Sequence, residues 1–509
     1  MLISFSLFWK YTFHFEIFAV IIAFVGALAF YRYEPGESEK IPKWLHISLF
    51  VFGVFLIFIL RVIPYFGNTI PLGYDAGIYK YGIENFAAEG FGADKWVLGA
   101  MSPGLLYLTL PLLKAGISSE FLLIWGFVFF GLLLGFSIYL AAREYFGDRT
   151  AIIALLLFAV SSIQFKVFTY MYYKNVIALA CLFFALYFLE RSTKLKVVGN
   201  KTHLNWNRFF FILFGVLVGI MHLPTFFIFG LAYLLFTVNN WKSFGRKFID
   251  GFLIFVISLL FYAGFWEQAI LPLIAPVAES FVEPGSAPGT FVSFFVYQFS
   301  TLYILPFAIF GFLSMFWRRK FNLLFFLTMV VAVIVYFQFF FFNRFIIHLD
   351  VFLIVLAASA FSFMISNSRR LGVGILVLMV VSSGWVTFND SIRAEPLITS
   401  QALELIKRIG DVTEKNAQVI AISSEYSPWV LAYSGRETIA PGLFEANKWS
   451  RQEWEKFWNN GGEKDTKELM NVYGDKPTYL FIGTKRFNNP CFEEFLSVGS
   501  NKLLRYTCG

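Results

Sequence analysis

The sequence predicts an α-helical polytopic membrane protein of about 12 transmembrane helices, each needing roughly 20 apolar residues, followed by a C-terminal extracytoplasmic α/β domain. Three observations carry that prediction. First, 58% of the 509 residues are hydrophobic, 21% are aromatic and only 15% are charged, whereas soluble chains average roughly a quarter charged residues. The 68 phenylalanines need lipid around them, which excludes a cytosolic enzyme, a secreted disulfide scaffold and a disordered chain. Second, apolar stretches recur along residues 1–388. Third, the charge balance changes after them: residues 1–388 hold 26 Lys and Arg against 17 Asp and Glu, and residues 389–509 hold 15 against 16. No basic stripe with interleaved aromatics stands free, so nucleic acid is not an expected partner.

The candidate spans lie near 11–31, 44–63, 121–142, 150–165, 175–190, 209–222, 224–238, 248–265, 292–316, 321–341, 345–366 and 371–388. With the tail outside, loops 32–43, 143–149, 191–208, 239–247, 317–320 and 367–370 fall inside and carry 18 Lys and Arg. The outer segments 64–120, 166–174, 266–291 and 342–344 carry six. Basic loops stay on the cytoplasmic side, so a multi-pass protein of the plasma membrane is expected, with both chain ends outside. Met1–Lys10 has no basic lead and no small-residue cleavage site, so the first apolar stretch is expected to remain. No Gly- or Pro-interrupted helix pair recurs in matching halves, which speaks against a secondary transporter.

The division expected is a membrane domain over 1–388, with an external loop at 64–120, and a soluble domain over 389–509. In the tail, Leu403, Leu405, Ile406 and Ile409 give an apolar stripe to a helix over about 397–410. Strands are expected at Gln418–Ser423, Glu437–Ala440 and Thr478–Ile482, and helices near 428–434, 450–459 and 464–473. Alternation of the two suggests a small α/β unit, and Ser424–Trp429, after a strand and opening a helix, is a natural ligand-facing edge. Cys491 and Cys508 either close a disulfide or stay free, since spacing does not show proximity. Asn389-Asp390-Ser391 is a glycosylation sequon, a motif frequent by chance.

The segment Pro71–Ser118 is too polar to span and is followed by an apolar helix with Pro103 near its start. Asp75 opens a helix over 76–89, where it is either an N-cap carboxylate or a general base at the membrane surface. Glu84, nine positions on, is half a turn out of phase with it, whereas Tyr79 shares its side.

Tyr74-Asp75-Ala76-Gly77-Ile78-Tyr79, with Met101-Ser102-Pro103-Gly104-Leu105-Leu106-Tyr107 after it, resembles the first external loop of GT-C glycosyltransferases. These polytopic enzymes take sugars from polyprenyl-phosphate carriers; protein O-mannosyltransferases and aminoarabinose transferases are among them. Ala142–Arg149 is similar to the family's short R-x-x-F-G-x-R cytoplasmic turn, and Gly215–Thr225 to its hairpin with an external His. The resemblance implies transfer of one sugar, with inversion, from a polyprenyl-phosphate donor to a hydroxyl of a glycan, lipid or protein acceptor at the external face. Asp75 matches the family's catalytic Asp, and a phosphate leaving group needs little protonation, so a lone base suffices. Position 76 is alanine where many members carry a second acid, and Tyr172-Tyr173-Lys174-Asn175 stands where many carry another carboxylate. A divalent metal, which wants several oxygen ligands, is therefore doubtful, and no cofactor is firmly implied. The oligosaccharyltransferase signature W-W-D-Y-G is absent, which disfavours transfer of whole glycans to Asn.

The donor phosphate calls for cations near the external headgroups. Arg344 begins a span there and either grips phosphate or snorkels to the headgroups; Lys166 and Lys174, bracketing a short loop, are further candidates. Tyr74, Tyr79, His222 and Glu283 are expected around the substrate cavity, with His222 alternatively a packing residue and Glu283 part of a Pro-rich loop that is either a cover or a connector. Five histidines without H-x-x-x-H spacing make zinc improbable. His348 and Asp350, deep in a span, read as structural pairing within the bundle. Two rival readings remain open: a transporter or flippase of lipid-linked sugars, and a non-catalytic protein of envelope glycan assembly.

Overall fold

The structure, a computed structural model, describes residues 20–21, 23–26, 41–194, 206–270, 292–339, 342–423, 425–441, 446–459, 462–474 and 476–508. The chain forms two compact units. One comprises 1–67, 102–108 and 125–394, and the other 68–101, 109–124 and 395–509. The expected boundary at 388/389 assigns the whole loop 64–120 to the membrane part; by compactness, most of that loop groups with the tail.

The first unit is helical. Among the described residues, Lys43–Tyr65, Ser119–Phe146, Tyr173–Thr193, Phe342–Asn367 and Arg369–Arg393 are long and apolar enough to cross a membrane. Three further pairs of helices are bent between their members: Asp148–Ala159 with Ser162–Thr169, Trp241–Phe261 with Ala263–Ile270, and Phe294–Thr301 with Leu305–Trp317. Counting each pair as one span gives up to eight. Trp206–Met221, Leu223–Asn239 and Leu323–Tyr336 are shorter apolar helices, and most of 11–31 lies outside the described residues. The figure of about 12, at roughly 20 residues a span, is not reached on helix length and composition alone.

The breaks have local causes. Ser161 ends one helix and caps the next, its hydroxyl accepting from the Gln164 N–H at 3.2 Å, a use of serine that satisfies an orphan donor. Pro306 stands in the first turn of Leu305–Trp317, where its missing N–H costs nothing, and the pair bends there by 82°. The helix Phe342–Asn367 is the core of the unit: 89% of its apolar window is buried, against 28% for Arg369–Arg393 and 33% for Lys43–Tyr65. A helix apolar on all sides and packed on all sides belongs at the centre of a bundle. Phe352 and Phe183 are fully buried there, with ring centroids 5.8 Å apart.

The second unit holds a five-stranded sheet of order β2-β1-β3-β5-β4, with β1 at Gln418–Ala421, β2 at Glu437–Ile439, β3 at Thr478–Gly483, β4 at Phe492–Val498 and β5 at Asn501–Tyr506. β1 runs parallel to both β2 and β3, and β5 is antiparallel to β3 and β4. The helices lie at Ser400–Val412, Ser427–Tyr433, Arg451–Asn459 and Glu463–Met470. Thr399 caps the first by accepting from Ala402 N–H at 3.2 Å, and Leu403, Leu405, Ile406 and Ile409 are buried as the stripe requires. Trp449, Trp454, Phe457, Leu480 and Cys491 belong to one apolar core. Cys491 and Cys508 form a disulfide with Cα atoms 4.9 Å apart. The β4–β5 hairpin goes beyond the expected strands and makes the sheet mixed.

Candidate functional site: an acidic helix start and a histidine cluster

In the second unit, Asp75 opens the helix Asp75–Glu89. The residue at the N-cap is Tyr74, whose side chain makes no cap hydrogen bond, so Asp75 is the first helical residue and not the cap. Its charge there complements the helix dipole. Gly73, with φ +78°, turns the chain into the helix, a conformation other side chains rarely adopt. Gly77 lies against the helix Ser427–Tyr433: a Cβ placed on it would stand 2.2 Å from the Pro428 carbonyl oxygen. Tyr74, half-buried, shares a hydrogen bond with the Ser427 side chain. Burial pushes the Tyr74 phenol above its ordinary range; the Ser427 bond opposes this and the Asp75 charge adds to it. Tyr79 is buried, and Asp75 is half-buried.

The opposite side of the helix is an ionic brace. Buried Lys80 donates to Glu84 Oε1 at 2.5 Å, to Ser119 Oγ at 3.0 Å and to Glu120 Oε1 at 3.1 Å. Its ammonium also stands 4.8 Å from the centroid of the Tyr433 ring, a cation–π placement. Glu84 thus faces Lys80, as its phase relative to Asp75 demands. Tyr81 stacks on Trp96 at 5.5 Å and donates to Asp94 at 2.6 Å. At the carboxyl ends of β1 and β3, where parallel sheets bind ligands, Lys485 pairs with Glu425 at 3.4 Å beside the Tyr426 ring.

In the first unit, His222 caps Leu223–Asn239, its Nδ1 lying 2.8 Å from Thr225 Oγ1. Thr225 Oγ1 is in turn 2.7 Å from His348 Nε2, and the two imidazoles lie nearly parallel at 6.5 Å. Lys174 and Arg344 stand near enough for their charges to act on His222. The structure therefore brings together His222, Lys174, Arg344 and His348. An apolar groove of about 830 Å³ runs between Leu223–Asn239 and Phe244–Phe261, lined by Leu223, which follows His222 in the chain, and by Phe226, Phe227, Phe252 and Phe255. Lys166, on Ser162–Thr169, makes no side-chain hydrogen bond or ion pair among the described residues. Glu283 lies outside the described residues.

His348 and Asp350 do not pair with each other. Residues two apart on a helix point to different sides, so His348 meets Thr225 while Asp350 accepts from Ser161 Oγ at 3.0 Å and Gln164 Nε2 at 2.8 Å. Sequence reasoning missed Thr225, which bridges helices through partners 123 residues apart. It also missed buried Arg61, whose guanidinium donates to the Ile57 carbonyl and lies 5.5 Å from the Phe158 ring. A charge inside an apolar segment was the available signal. Among the described residues, no group of three or more His, Cys, Asp or Glu could hold a metal ion.

Residues 102–266 match the family model for dolichyl-phosphate-mannose-protein mannosyltransferase. No curated protein matches the chain by sequence. Among solved structures, the archaeal oligosaccharyltransferase AglB of Archaeoglobus fulgidus, in complex with an inhibitory peptide and a dolichol-phosphate, is similar at TM-score 0.55 and 15% identity. The match covers 86% of this chain and 69% of that one. ArnT of Cupriavidus metallidurans bound to undecaprenyl phosphate is similar at TM-score 0.61 and 11% identity, over 91% of this chain and 98% of that one. At these identities the likeness is one of fold. The helical core and small sheet domain thus share the fold of these two solved structures, and the similarity to the dolichyl-phosphate-mannose-protein mannosyltransferase family rests on residues 102–266, about a third of the chain.

Proposed function

We propose that the protein is an inverting membrane glycosyltransferase that moves a monosaccharide from a polyprenyl-phosphate donor to a hydroxyl of a glycan, lipid or protein at the external face of the plasma membrane. The observation that carries this reading is the cluster of Arg344, Lys174, His222 and His348, with an apolar groove lined from Leu223, the residue after His222. A lipid phosphate needs both parts, cations for its oxygens and an apolar channel for its tail. The carrier lipids named with AglB and ArnT have that chemistry.

In the reaction, the acceptor oxygen attacks the anomeric carbon and its proton passes to Asp75. The bond from the anomeric carbon to the phosphate oxygen breaks, and polyprenyl phosphate leaves with the electron pair. Arg344 and Lys174 hold the departing charge, and His222 and Thr225 keep the phosphate site polar. Tyr74 and Tyr79 orient the start of the Asp75 helix, and the tail with its Glu425–Lys485 edge receives the acceptor.

The test is a transfer assay on the full chain in lipid nanodiscs, with a panel of labelled polyprenyl-phosphate sugars. Asp75→Asn is expected to abolish transfer and leave donor binding within about twofold. Arg344→Gln is expected to weaken donor binding at least about tenfold, the loss of a charge-assisted phosphate contact. Full transfer by Asp75→Asn removes the assigned base, and donor binding without turnover in wild type removes the enzyme reading.

A further inference from the structure

A polar cavity of the first unit, separate from the apolar groove, shares no lining residue with the histidine cluster. Its volume is about 410 Å³, and three regions far apart in sequence line it: residues 145–150, the end of Leu305–Trp317 with the turn after it, and the end of Phe342–Asn367. Arg344 and Ser366 stand at the two ends of that last helix, 22 residues apart, which is about 33 Å at 1.5 Å per residue. A hydrocarbon core is about 30 Å thick. The cavity therefore belongs to the membrane face opposite Arg344.

Two of the basic loops, 143–149 and 317–320, meet in it, and their cations there are Arg149, Arg318 and Lys320. Its one acid, Asp148, is already engaged by Arg143 at 2.6 Å. No carboxylate among the described residues pairs with Arg318 or Lys320. Arg149 is held in place by donating to Ser366 Oγ at 2.7 Å, and Ser366 donates on to the Ser362 carbonyl at 3.0 Å. Tyr145 Oη, also on the lining, is buried without a hydrogen-bond partner among the described residues. The turn that carries Arg318 and Lys320 is closed by Lys320 N–H on the Met315 carbonyl at 2.9 Å, with Arg319 at φ +53°. That is a helix stop normally given to glycine. Basic loops that only set topology need no common cavity and no such fixed geometry.

We propose that this cavity binds a phosphate group, with the guanidinium forks of Arg149 and Arg318, the Lys320 ammonium and the Tyr145 hydroxyl as its donors. Guanidinium forks match phosphate oxygens in pairs, and basic pockets between helices on the inner face suit acidic lipid headgroups. The phosphate comes either from an acidic phospholipid of the adjacent leaflet or from a soluble phosphate, and the two share this chemistry.

The test measures binding to the full chain in nanodiscs of phosphatidylcholine, with and without phosphatidylglycerol, and separately with inorganic phosphate added. Binding is read by thermal melting and by native mass spectrometry after detergent extraction. Wild type is expected to retain phosphatidylglycerol and melt higher with it. Arg318→Gln/Lys320→Gln, at two exposed positions, is expected to bind at least about tenfold more weakly, as the loss of two charge-assisted contacts requires. Arg319→Gln removes the same kind of charge outside the lining and is expected to bind as wild type does. If the double variant melts differently in phosphatidylcholine alone, Lys320→Gln serves in its place. Stabilisation by inorganic phosphate that equals the lipid's, and is lost in the same variant, assigns the site to a soluble phosphate. Equal binding by wild type and the double variant, or equal weakening by Arg319→Gln, overturns the proposal.

Discussion

Replacing Gly77 by alanine tests whether the start of the Asp75 helix is held by the tail. The added Cβ would stand 2.2 Å from the Pro428 carbonyl oxygen and 2.4 Å from its carbon, where real Cβ atoms essentially never come within 3.0 Å. The helices must therefore separate by at least 0.8 Å, the difference between 3.0 and 2.2 Å, and both obstacles are backbone, which cannot rotate away. Overpacking of this kind costs about 1–3 kcal/mol, and a backbone clash belongs at the upper end. In a unit of roughly 165 residues, about 3 kcal/mol lowers the melting temperature by about 6–12 °C. Asp75 is two residues away and moves with the helix, and a displacement near 1 Å can cost about a hundredfold in rate. The assay is the initial rate of sugar transfer in nanodiscs beside the melting curve of the same sample. Gly92→Ala, whose Cβ would meet nothing within 4 Å, is expected to match wild type in both. Wild-type rate and melting for Gly77→Ala would refute the packing and the placement of Asp75 that rests on it.

Lys80→Met removes the cation of the brace. Breaking a fully buried pair costs about 3–5 kcal/mol, but Glu84 and Glu120 are 42% and 36% exposed, so a loss of about 2 kcal/mol is expected, read as a lower melting temperature and partly recovered by adding Glu84→Gln. Reduction of Cys491–Cys508, which closes a 17-residue interval, is expected to cost about 3 kcal/mol in the loop-entropy model, seen as earlier unfolding of the sheet by circular dichroism.

What the sequence carried was the local information. The Ser400–Val412 helix followed from its apolar stripe, and β1, β2 and β3 from short apolar runs between turns. β4 was not legible because it is an edge strand with exposed side chains at Glu493, Glu494 and Phe495, so it shows no apolar run. The Gly499-Ser500 dipeptide between β4 and β5 was the usable signal for their hairpin. The phase of Glu84 was readable from helical periodicity, but its destination was not, since Lys80 gathers Ser119, Glu120 and Tyr433 from segments far along the chain. The same holds for Thr225 between His222 and His348, whose meeting depends on how two helices pack.

The unit that contains Asp75 is assembled from three separate stretches of chain, and this bears on its biosynthesis. The helix Asp75–Glu89 leaves the ribosome early, whereas its partner Ser427–Tyr433 comes more than 300 residues later. At about 5–20 residues per second, the helix waits roughly 15–70 s with its Gly77 face uncovered and Lys80 without the Tyr433 ring. During that interval it is a natural client for a membrane-surface chaperone and a target for surveillance proteases. The same discontinuity means that a tail exchanged between relatives has to bring residues 68–101 and 109–124 with it, because the surface that receives the tail is written there.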